Sequence, residues 1–141
     1  MQLTAELSSD RRQRVESRLR TNIMAWLTTV GPNGRPASVP VWFLVRDDET
    51  ILLYSQPNKA KLHNIDLNPN VALGLDVTDL GRDVIRIEGT ATRQPGAPRA
   101  DHVPEYVAKY IERIAAIFGT AEQFADRFSE AVVIAPTKLH A

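Results

Sequence analysis

A tight turn between two runs of β-branched and apolar residues is the feature that most restricts the fold of this chain. The runs are 24–30 and 37–45, and the turn between them is Gly31-Pro32-Asn33-Gly34. An Asn-Gly pair between such runs is typical of a β-hairpin. Asp47-Asp48-Glu49 then turns the chain into a third run, 50–55, so we expect three antiparallel strands in succession.

Further strand patterns follow at 71–77, at 84–92 after a turn at 79–82, and at 131–135 before Pro136. Short turns between successive strands favour a meandering antiparallel sheet that closes into a small barrel, rather than a parallel α/β sheet. The expected fold is mainly β with peripheral helices, in one domain over residues 1–141.

Four helices are expected around the sheet. An amphipathic helix lies in the N-terminal part, 1–20, and a short one follows the third strand. A helical pair spans 104–128, and in its first member an apolar stripe is predicted to face the core. The stripe consists of Val107, Ile111, Ile114, Ala115 and Phe118. Thr120 with Gln123 is a capping box for the second member.

Charge and composition exclude several classes of function. Lys plus Arg equal Asp plus Glu at 17 each, so no overall field favours nucleic acid or an anionic membrane. The absence of cysteine excludes disulfides, thiolate metal sites and cysteine nucleophiles. No apolar run is long enough to span a bilayer, and the polar N-terminus lacks a signal-peptide pattern, so a cytoplasmic location is expected.

The segment from Tyr54 to Asn64 places lysines where a helix begins. Asn58 is a favoured N-cap type, and Lys59 and Lys61 follow it in the predicted first turn. Cations there oppose the helix dipole, so their position is better explained if an anion such as phosphate binds. A solvated lysine pair on a short helix is the alternative, and these residues alone do not decide between the two.

No catalytic or metal-binding constellation is expected. His63, His102 and His140 are scattered, and no paired carboxylates or Ser-His-Asp order stand out. Trp26 and Trp42 are expected in the core or at a dimer interface, although Trp42 could form one wall of a cofactor site.

Several segments together resemble the flavin-binding split-barrel superfamily. Within it, the chain is most similar to the pyridoxamine 5'-phosphate oxidase-like, coenzyme F420-dependent enzymes of actinobacterial type. The resemblance covers roughly 21–134 and implies a six-stranded antiparallel split β-barrel of the FMN-binding type. The segments that carry it are Trp26-Leu27-Thr28-Thr29-Val30, Asn33-Gly34-Arg35-Pro36, Val39-Pro40-Val41-Trp42-Phe43, Lys59-Ala60-Lys61-Leu62-His63-Asn64, Pro69-Asn70-Val71-Ala72-Leu73 and Glu88-Gly89-Thr90-Ala91.

The resemblance also implies a homodimer with two cofactor sites at its interface. The cofactor ring would lie along the second strand, at Val39, Pro40, Val41 and Trp42. The phosphate would lie near Ser55, Gln56, Lys59, Ala60 and Lys61, with Asn64 and Ser38 as weaker candidates that could equally cross-link the local backbone.

The expected activity is a hydride transfer between reduced coenzyme F420 and a small conjugated organic acceptor. FMN is the alternative cofactor, because it shares the ring shape and the phosphate. A cofactor carrier without catalysis is the second alternative, because no acid–base residue stands out. Pyridoxamine phosphate oxidase activity itself is not expected, because the chain ends in 136–141 without the Arg-x-His pattern of those enzymes.

Overall fold

One antiparallel sheet of seven strands carries the fold in the computed structural model, which describes residues 1–77 and 80–141. The order across the sheet is β2-β1-β5-β6-β7-β4-β3. The strands are β1 (Ala25–Val30), β2 (Pro36–Val41), β3 (Leu44–Val45), β4 (Ile51–Ser55), β5 (Asn70–Leu75), β6 (Arg86–Arg93) and β7 (Glu130–His140). The helices are α1 (Ser9–Thr21), α2 (Ala60–Leu67), α3 (Pro104–Ile117) and α4 (Ala121–Arg127).

The two outer strands of the sheet, β2 and β3, are consecutive in the chain. Only Trp42 and Phe43 separate Val41, the last residue of β2, from Leu44, the first of β3. Two residues between these ends span at most about 11 Å, so the opposite edges of the sheet must approach each other and the sheet curls into a split barrel. The prediction of six strands is wrong by one, because the run 37–45 forms two strands on opposite edges.

The break at Phe43 is held by side chains of α3. The Phe43 N–H donates to the Tyr110 hydroxyl at 2.8 Å, and that hydroxyl lies 2.8 Å from the Ile23 carbonyl oxygen, to which it donates. Lys109 Nζ donates to the Phe43 carbonyl at 2.7 Å and lies 3.8 Å from the centre of the Phe43 ring. Burial lowers the pKa of Lys109 to about 8. The backbone groups that leave the sheet ladder here are therefore satisfied by one helix.

The sheet is not the expected meander. β1 pairs with β5 as well as with β2, and β4 pairs with β7 as well as with β3. The break in the second run causes this difference, because it transfers the chain from one edge of the sheet to the other before β4 begins. The hairpin between β1 and β2 is confirmed, with Val30 opposite Pro36.

The last strand, β7, continues through Pro136 to His140, whereas the predicted strand ended before Pro136. The β6–β7 register shifts between Glu88 and Gly89, and Thr137 is the extra residue of this bulge. Thr137 Oγ1 donates to the Glu88 carbonyl at 3.1 Å. A proline is tolerated at a bulge because the ladder is interrupted there. A Cβ on Gly89 would lie 2.7 Å from the Ala135 carbonyl oxygen, so this close approach of β6 and β7 requires glycine.

α3 begins at Pro104 as expected, but a different face of it is buried. Tyr106, Tyr110 and Ile114 are buried, whereas Ile111 is 51% exposed and Ala115 is exposed. The predicted apolar stripe is therefore wrong except at Ile114 and, in part, at the half-buried Val107 and Phe118. The two tyrosines are buried because their large rings fill apolar space, and the Tyr110 hydroxyl also reaches the backbone of Phe43 at the strand break.

Two apolar clusters fill the structure. The first lies inside the curled sheet and includes Val15 and Leu19 of α1, as the amphipathic pattern predicted. The second lies between β4 and the helical pair, where the capping box of α4 is confirmed by the Gln123 N–H donating to Thr120 Oγ1 at 3.1 Å. The turn predicted at 79–82 falls partly outside the described residues, since Asp79 is among those not described.

Arginines of α1 bond to the protein's own backbone. Arg18 donates to the carbonyl oxygens of Asp76, at 3.0 Å, and Asp83. Arg12 donates to the Ala5 carbonyl at 2.7 Å. These bonds connect α1 to the segment that precedes it, to the residue that follows β5 and to a residue shortly before β6. None of the helices in residues 1–77 and 80–141 is long and apolar enough to cross a membrane.

The Tyr110 contacts predict a large loss of stability from removal of one oxygen atom. We expect Tyr110→Phe to lower the free energy of unfolding by about 1–3 kcal/mol, because the Phe43 N–H and the Ile23 carbonyl lose a buried partner. Urea denaturation followed by circular dichroism measures this. Tyr106→Phe is the matched control on the same helix: its hydroxyl has no protein partner among the described residues, so the change should be within about 0.5 kcal/mol or stabilising. Equal losses in the two variants would contradict the assignment.

Candidate functional site

A cavity of about 280 Å³ lies between the end of β2 and the helical pair. Pro40, Val41 and Trp42 line it from the sheet, and Lys61 lines it from α2. Most of the remaining lining is aromatic and comes from α3, α4 and their flanks, and Met24 and Tyr54 also contribute. The strand segment and the lysine turn that were predicted separately from the sequence therefore meet at one cavity.

The wall around Trp42 is built from stacked rings. The Trp42 ring lies parallel to that of Tyr110, with centroids 4.6 Å apart and an interplanar angle of 3°. Phe124 of α4 stacks with Trp42 at 5.4 Å, and the Phe118 ring meets Trp42 edge-on at 6.1 Å. Packed aromatic rings lose little freedom when a flat molecule binds beside them. This wall suits a planar aromatic ligand.

Three tyrosines lie around the cavity, and their hydroxyls have different partners. Tyr54 Oη donates to the Pro98 carbonyl at 2.8 Å, and the Tyr110 hydroxyl holds the strand break. The Tyr106 hydroxyl is buried and finds no hydrogen-bond partner among the described residues. Burial raises the pKa of Tyr54 to about 12 and also raises the pKa values of Tyr106 and Tyr110. All three phenols therefore stay protonated near neutral pH.

The start of α2 places a half-buried lysine at the cavity. Lys61 is half-buried, and no described carboxylate forms an ion pair with it or with Lys59. Burial, and secondarily repulsion from Lys59, lower the pKa of Lys61. The first turn of α2 contains no acidic residue. The Leu62 N–H donates to the Lys59 carbonyl at 3.0 Å, whereas the N–H groups of Ala60 and Lys61 have no hydrogen-bond partner among the described residues. Positive charge without a counter-charge is concentrated here.

The N-cap of α2 is Lys59, and the prediction of Asn58 as the cap is wrong. Asn58 adopts a left-handed backbone conformation, with φ of 62°, in the turn before the helix. Asparagine is preferred both at N-caps and in left-handed turns, and Asn58 occupies the left-handed turn rather than the N-cap. The helix begins without a side-chain cap, which leaves the N–H groups of Ala60 and Lys61 available to an external acceptor.

The remaining predicted site residues divide between the surface and the core. Lys59, Ala60 and Pro40 are exposed, while Val39 and Gln56 are half-buried. Two polar side chains have internal partners: Ser55 is buried and its Oγ donates to the Gln56 carbonyl at 2.8 Å, and Asn64 Nδ2 donates to Thr29 Oγ1 at 3.1 Å. Ser38 on exposed β2 shares a hydrogen bond of 2.6 Å with Thr28. Asn64 therefore links α2 to β1.

The sequence analysis did not assign the helical pair to the site. Four of its aromatic side chains line the cavity, and Tyr110 stacks on Trp42; the four are Tyr106, Phe118, Phe124 and Phe128. The signal was the repeat of aromatic residues four positions apart in both helices, which places them on one face. Their convergence on Trp42 depends on tertiary packing between segments more than 60 residues apart in the chain.

No group of three or more His, Cys, Asp or Glu in the described part of the chain is arranged to hold a metal ion. His63 and His102 are exposed, and the described lining of the cavity contains neither histidine nor carboxylate. What the arrangement offers chemically is a flat apolar wall beside an uncompensated cation.

A curled antiparallel sheet closed by consecutive outer strands, with helices against it, defines the split-barrel class. Residues 12–141 match the pyridoxamine 5'-phosphate oxidase family, and the chain belongs to that family. Proteins of this fold bind flavins such as FMN. No curated protein sequence matches the chain.

Solved structures support the fold. An F420 reductase is 24% identical, with a TM-score of 0.67 over 89% of this chain and 94% of that one. General stress protein 26 from Bacillus anthracis is 19% identical, with a TM-score of 0.65 over 91% and 90%. The heme storage protein HutZ from Vibrio cholerae is 15% identical, with a TM-score of 0.63 over 92% of each chain. The fold is therefore shared by proteins of different functions.

The uncompensated charge of Lys61 predicts that its removal does not destabilise the protein. We expect Lys61→Met, which keeps most of the apolar stem, to unfold at the same or higher urea concentration than the parent in phosphate-free buffer at pH 7. Folding lowers the pKa of Lys61, so the parent becomes more stable as pH rises toward the unfolded pKa, and the advantage of the variant should shrink by pH 10. Exposed Lys138→Met is the control and should show no such trend. A marked loss of stability at pH 7 would reveal a partner for Lys61.

Proposed function

We propose that this protein is a homodimeric oxidoreductase that binds coenzyme F420 and transfers hydride to a small conjugated acceptor. The observation that carries the proposal is Lys61, a half-buried cation without an anionic partner in the described residues, at the edge of an aromatic cavity. One structural neighbour of the same fold is an F420 reductase, which favours the deazaflavin over other cofactors.

The residues at the start of α2 fit a phosphate group. Lys59 and Lys61 would supply charge, and the N–H groups of Ala60 and Lys61 would supply directed donors. A phosphate there would compensate both the buried charge and the repulsion between the lysines. FMN carries the same kind of group, so these residues alone accept either cofactor.

The end of β2 fits a flat ring system. Pro40 is exposed beside the cavity, Val41 and Trp42 line it, and Val39 precedes them on the same strand. Extended backbone offers alternating donors and acceptors to the edge of a heterocycle, while the side chains offer an apolar surface. In this assignment Val39–Trp42 hold the ring and Lys59–Lys61 hold the phosphate.

When bound, the reduced coenzyme would supply the hydride. The protein's part is to hold the ring and the acceptor face to face and to exclude water from the space between them. The stacked rings around Trp42 provide that dry, planar environment. The described cavity lining contains no carboxylate or histidine, so the proton that accompanies hydride would come from solvent that reaches the reduced acceptor after hydride transfer.

A second subunit would complete the site. Trp26 is 44% exposed and lies directly across the sheet from Pro40 on one side and Gly74 on the other. A Cβ on Gly74 would meet nothing within 4 Å, so the surface beside Trp26 is open. A cavity of about 280 Å³ lies just below the usual range of ligand sites, roughly 300–1,000 Å³, and a partner that covers Trp26 and Pro40 would enlarge and close it. Phe43 is fully buried, so it is not part of the surface around Trp26 that a partner would cover.

Removal of both lysines should weaken cofactor binding. We expect Lys59→Ala/Lys61→Ala to lose about 2–4 kcal/mol of F420 affinity, roughly a 30- to 1,000-fold increase in Kd, because charge-assisted contacts to phosphate are worth about 1.5–3 kcal/mol each and are not additive. Fluorescence titration of the apo-protein measures the loss.

Lys138→Ala controls for the change in net charge. Parallel titrations with FMN decide between the cofactors: tighter binding of FMN than of F420 would replace the deazaflavin by FMN. If the double variant binds both cofactors as tightly as the parent does, the assignment of the phosphate to the start of α2 is wrong. Tight binding without turnover across a panel of conjugated acceptors would favour a carrier.

Disruption of the exposed sheet face should separate the subunits. We expect Trp26→Arg to convert the protein from a dimer to a monomer in light scattering at micromolar concentration, because a charge replaces an apolar contact at the centre of the interface. Cofactor affinity should fall with it. Thr28→Arg introduces the same charge on the same face of β1 but replaces a smaller residue, so its effect on the dimer is compared with that of Trp26→Arg. A parent protein that is monomeric and still binds cofactor would contradict the proposed dimer.

A further inference from the structure

The Tyr106 hydroxyl is a buried polar group whose missing hydrogen-bond partner in the described residues calls for an explanation. The residue is 0% exposed, it lines the aromatic cavity, and its oxygen has no hydrogen-bond partner among the described residues. A buried hydroxyl without a partner costs about 1–3 kcal/mol, and buried polar side chains in folded proteins are nearly always paired. A molecule in the cavity could supply the missing partner.

The neighbouring tyrosines show that the position is distinctive. The Tyr54 ring meets Tyr106 edge-on at 5.0 Å, and the Tyr110 ring lies 5.1 Å from it. Both neighbours place their hydroxyls on backbone groups. Three similar side chains therefore share one cluster, and among them only Tyr106, whose side chain borders the cavity, has a buried hydroxyl without a partner in the described residues.

The surroundings define the chemistry of the ligand. Burial raises the pKa of Tyr106 well above its ordinary value, so the phenol stays protonated and can donate a hydrogen bond. The adjoining rings of Trp42, Phe124 and Phe128 favour a flat conjugated molecule. The volume of about 280 Å³ admits a small ring compound. A planar molecule with an acceptor oxygen matches both features.

We propose that Tyr106 determines substrate specificity by donating a hydrogen bond to the carbonyl oxygen of a planar, conjugated ketone or quinone bound in the aromatic cavity. The identification of this compound as the hydride acceptor rests on the proposed function. Recognition of the carbonyl by Tyr106 does not, because it depends only on the cavity and the hydroxyl. Tyr106 would also orient the acceptor, since a single directed bond at one end of a flat molecule fixes its rotation in the cavity.

The test compares two probes that differ by one carbonyl group. 1-Indanone is a flat bicyclic ketone, and indane is its hydrocarbon counterpart; their affinities for the cofactor-free protein are measured by NMR titration. We expect the parent to bind 1-indanone roughly five- to tenfold more tightly than indane, the equivalent of one neutral hydrogen bond. Tyr106→Phe should abolish that preference and leave indane binding unchanged.

Tyr54→Phe is the matched control, because Tyr54 also lines the cavity but its hydroxyl is bonded to Pro98. It should keep the preference for the ketone. The proposal is overturned if the parent binds the two probes equally or binds neither at millimolar concentration, or if Tyr106→Phe keeps the preference. It is also overturned if Tyr106→Phe unfolds, because a hydroxyl without a protein partner should be dispensable. Because this titration uses the cofactor-free protein, its result can be interpreted even if the separate titration shows that F420 does not bind.

Discussion

The contact between the Tyr110 hydroxyl and the backbone of Phe43 is the interaction on which the rest of the structure depends. Phe43 lies where the chain leaves one edge of the sheet and joins the other, so its backbone groups lack a place in either ladder. Tyr110 and Lys109 satisfy those groups, and the curled sheet can close without a buried unpaired N–H. The same contact brings α3 against Trp42 and so creates the aromatic wall of the cavity.

Local sequence signals predicted the elements whose causes are local. The turn at 31–34 and the capping box at Thr120 depend on neighbouring residues, and both are present in the structure. The break at Trp42-Phe43 could not be predicted in this way, because the residues on both sides of it are apolar strand formers and the partner that stabilises the break, Tyr110, lies 67 residues further along. The continuation of β7 through Pro136 likewise depends on a bulge opposite Gly89.

The candidate site shows the same division. The lysine turn was identified as a candidate anion site because two cations in the first turn oppose the helix dipole, with a solvated lysine pair as the alternative. The structure adds that Lys61 borders a cavity and lacks a described counter-charge. The role of Asn58 was misassigned, because one residue type serves both caps and left-handed turns. The aromatic lining was missed because the helical period of α3 supports two overlapping stripes, and only packing against the break selects the one with Tyr106 and Tyr110.

The central claim is that a cofactor binds beside Trp42 with its phosphate at Lys61. The most direct measurement is the emission of Trp42 in a Trp26→Phe variant, which leaves Trp42 as the sole tryptophan of the chain. We expect coenzyme F420 to quench this emission saturably, at one molecule per chain, and the quenching to shift to much higher concentrations in the Lys59→Ala/Lys61→Ala background. Cofactor binding that leaves Trp42 emission unchanged would place the cofactor elsewhere and contradict the claim.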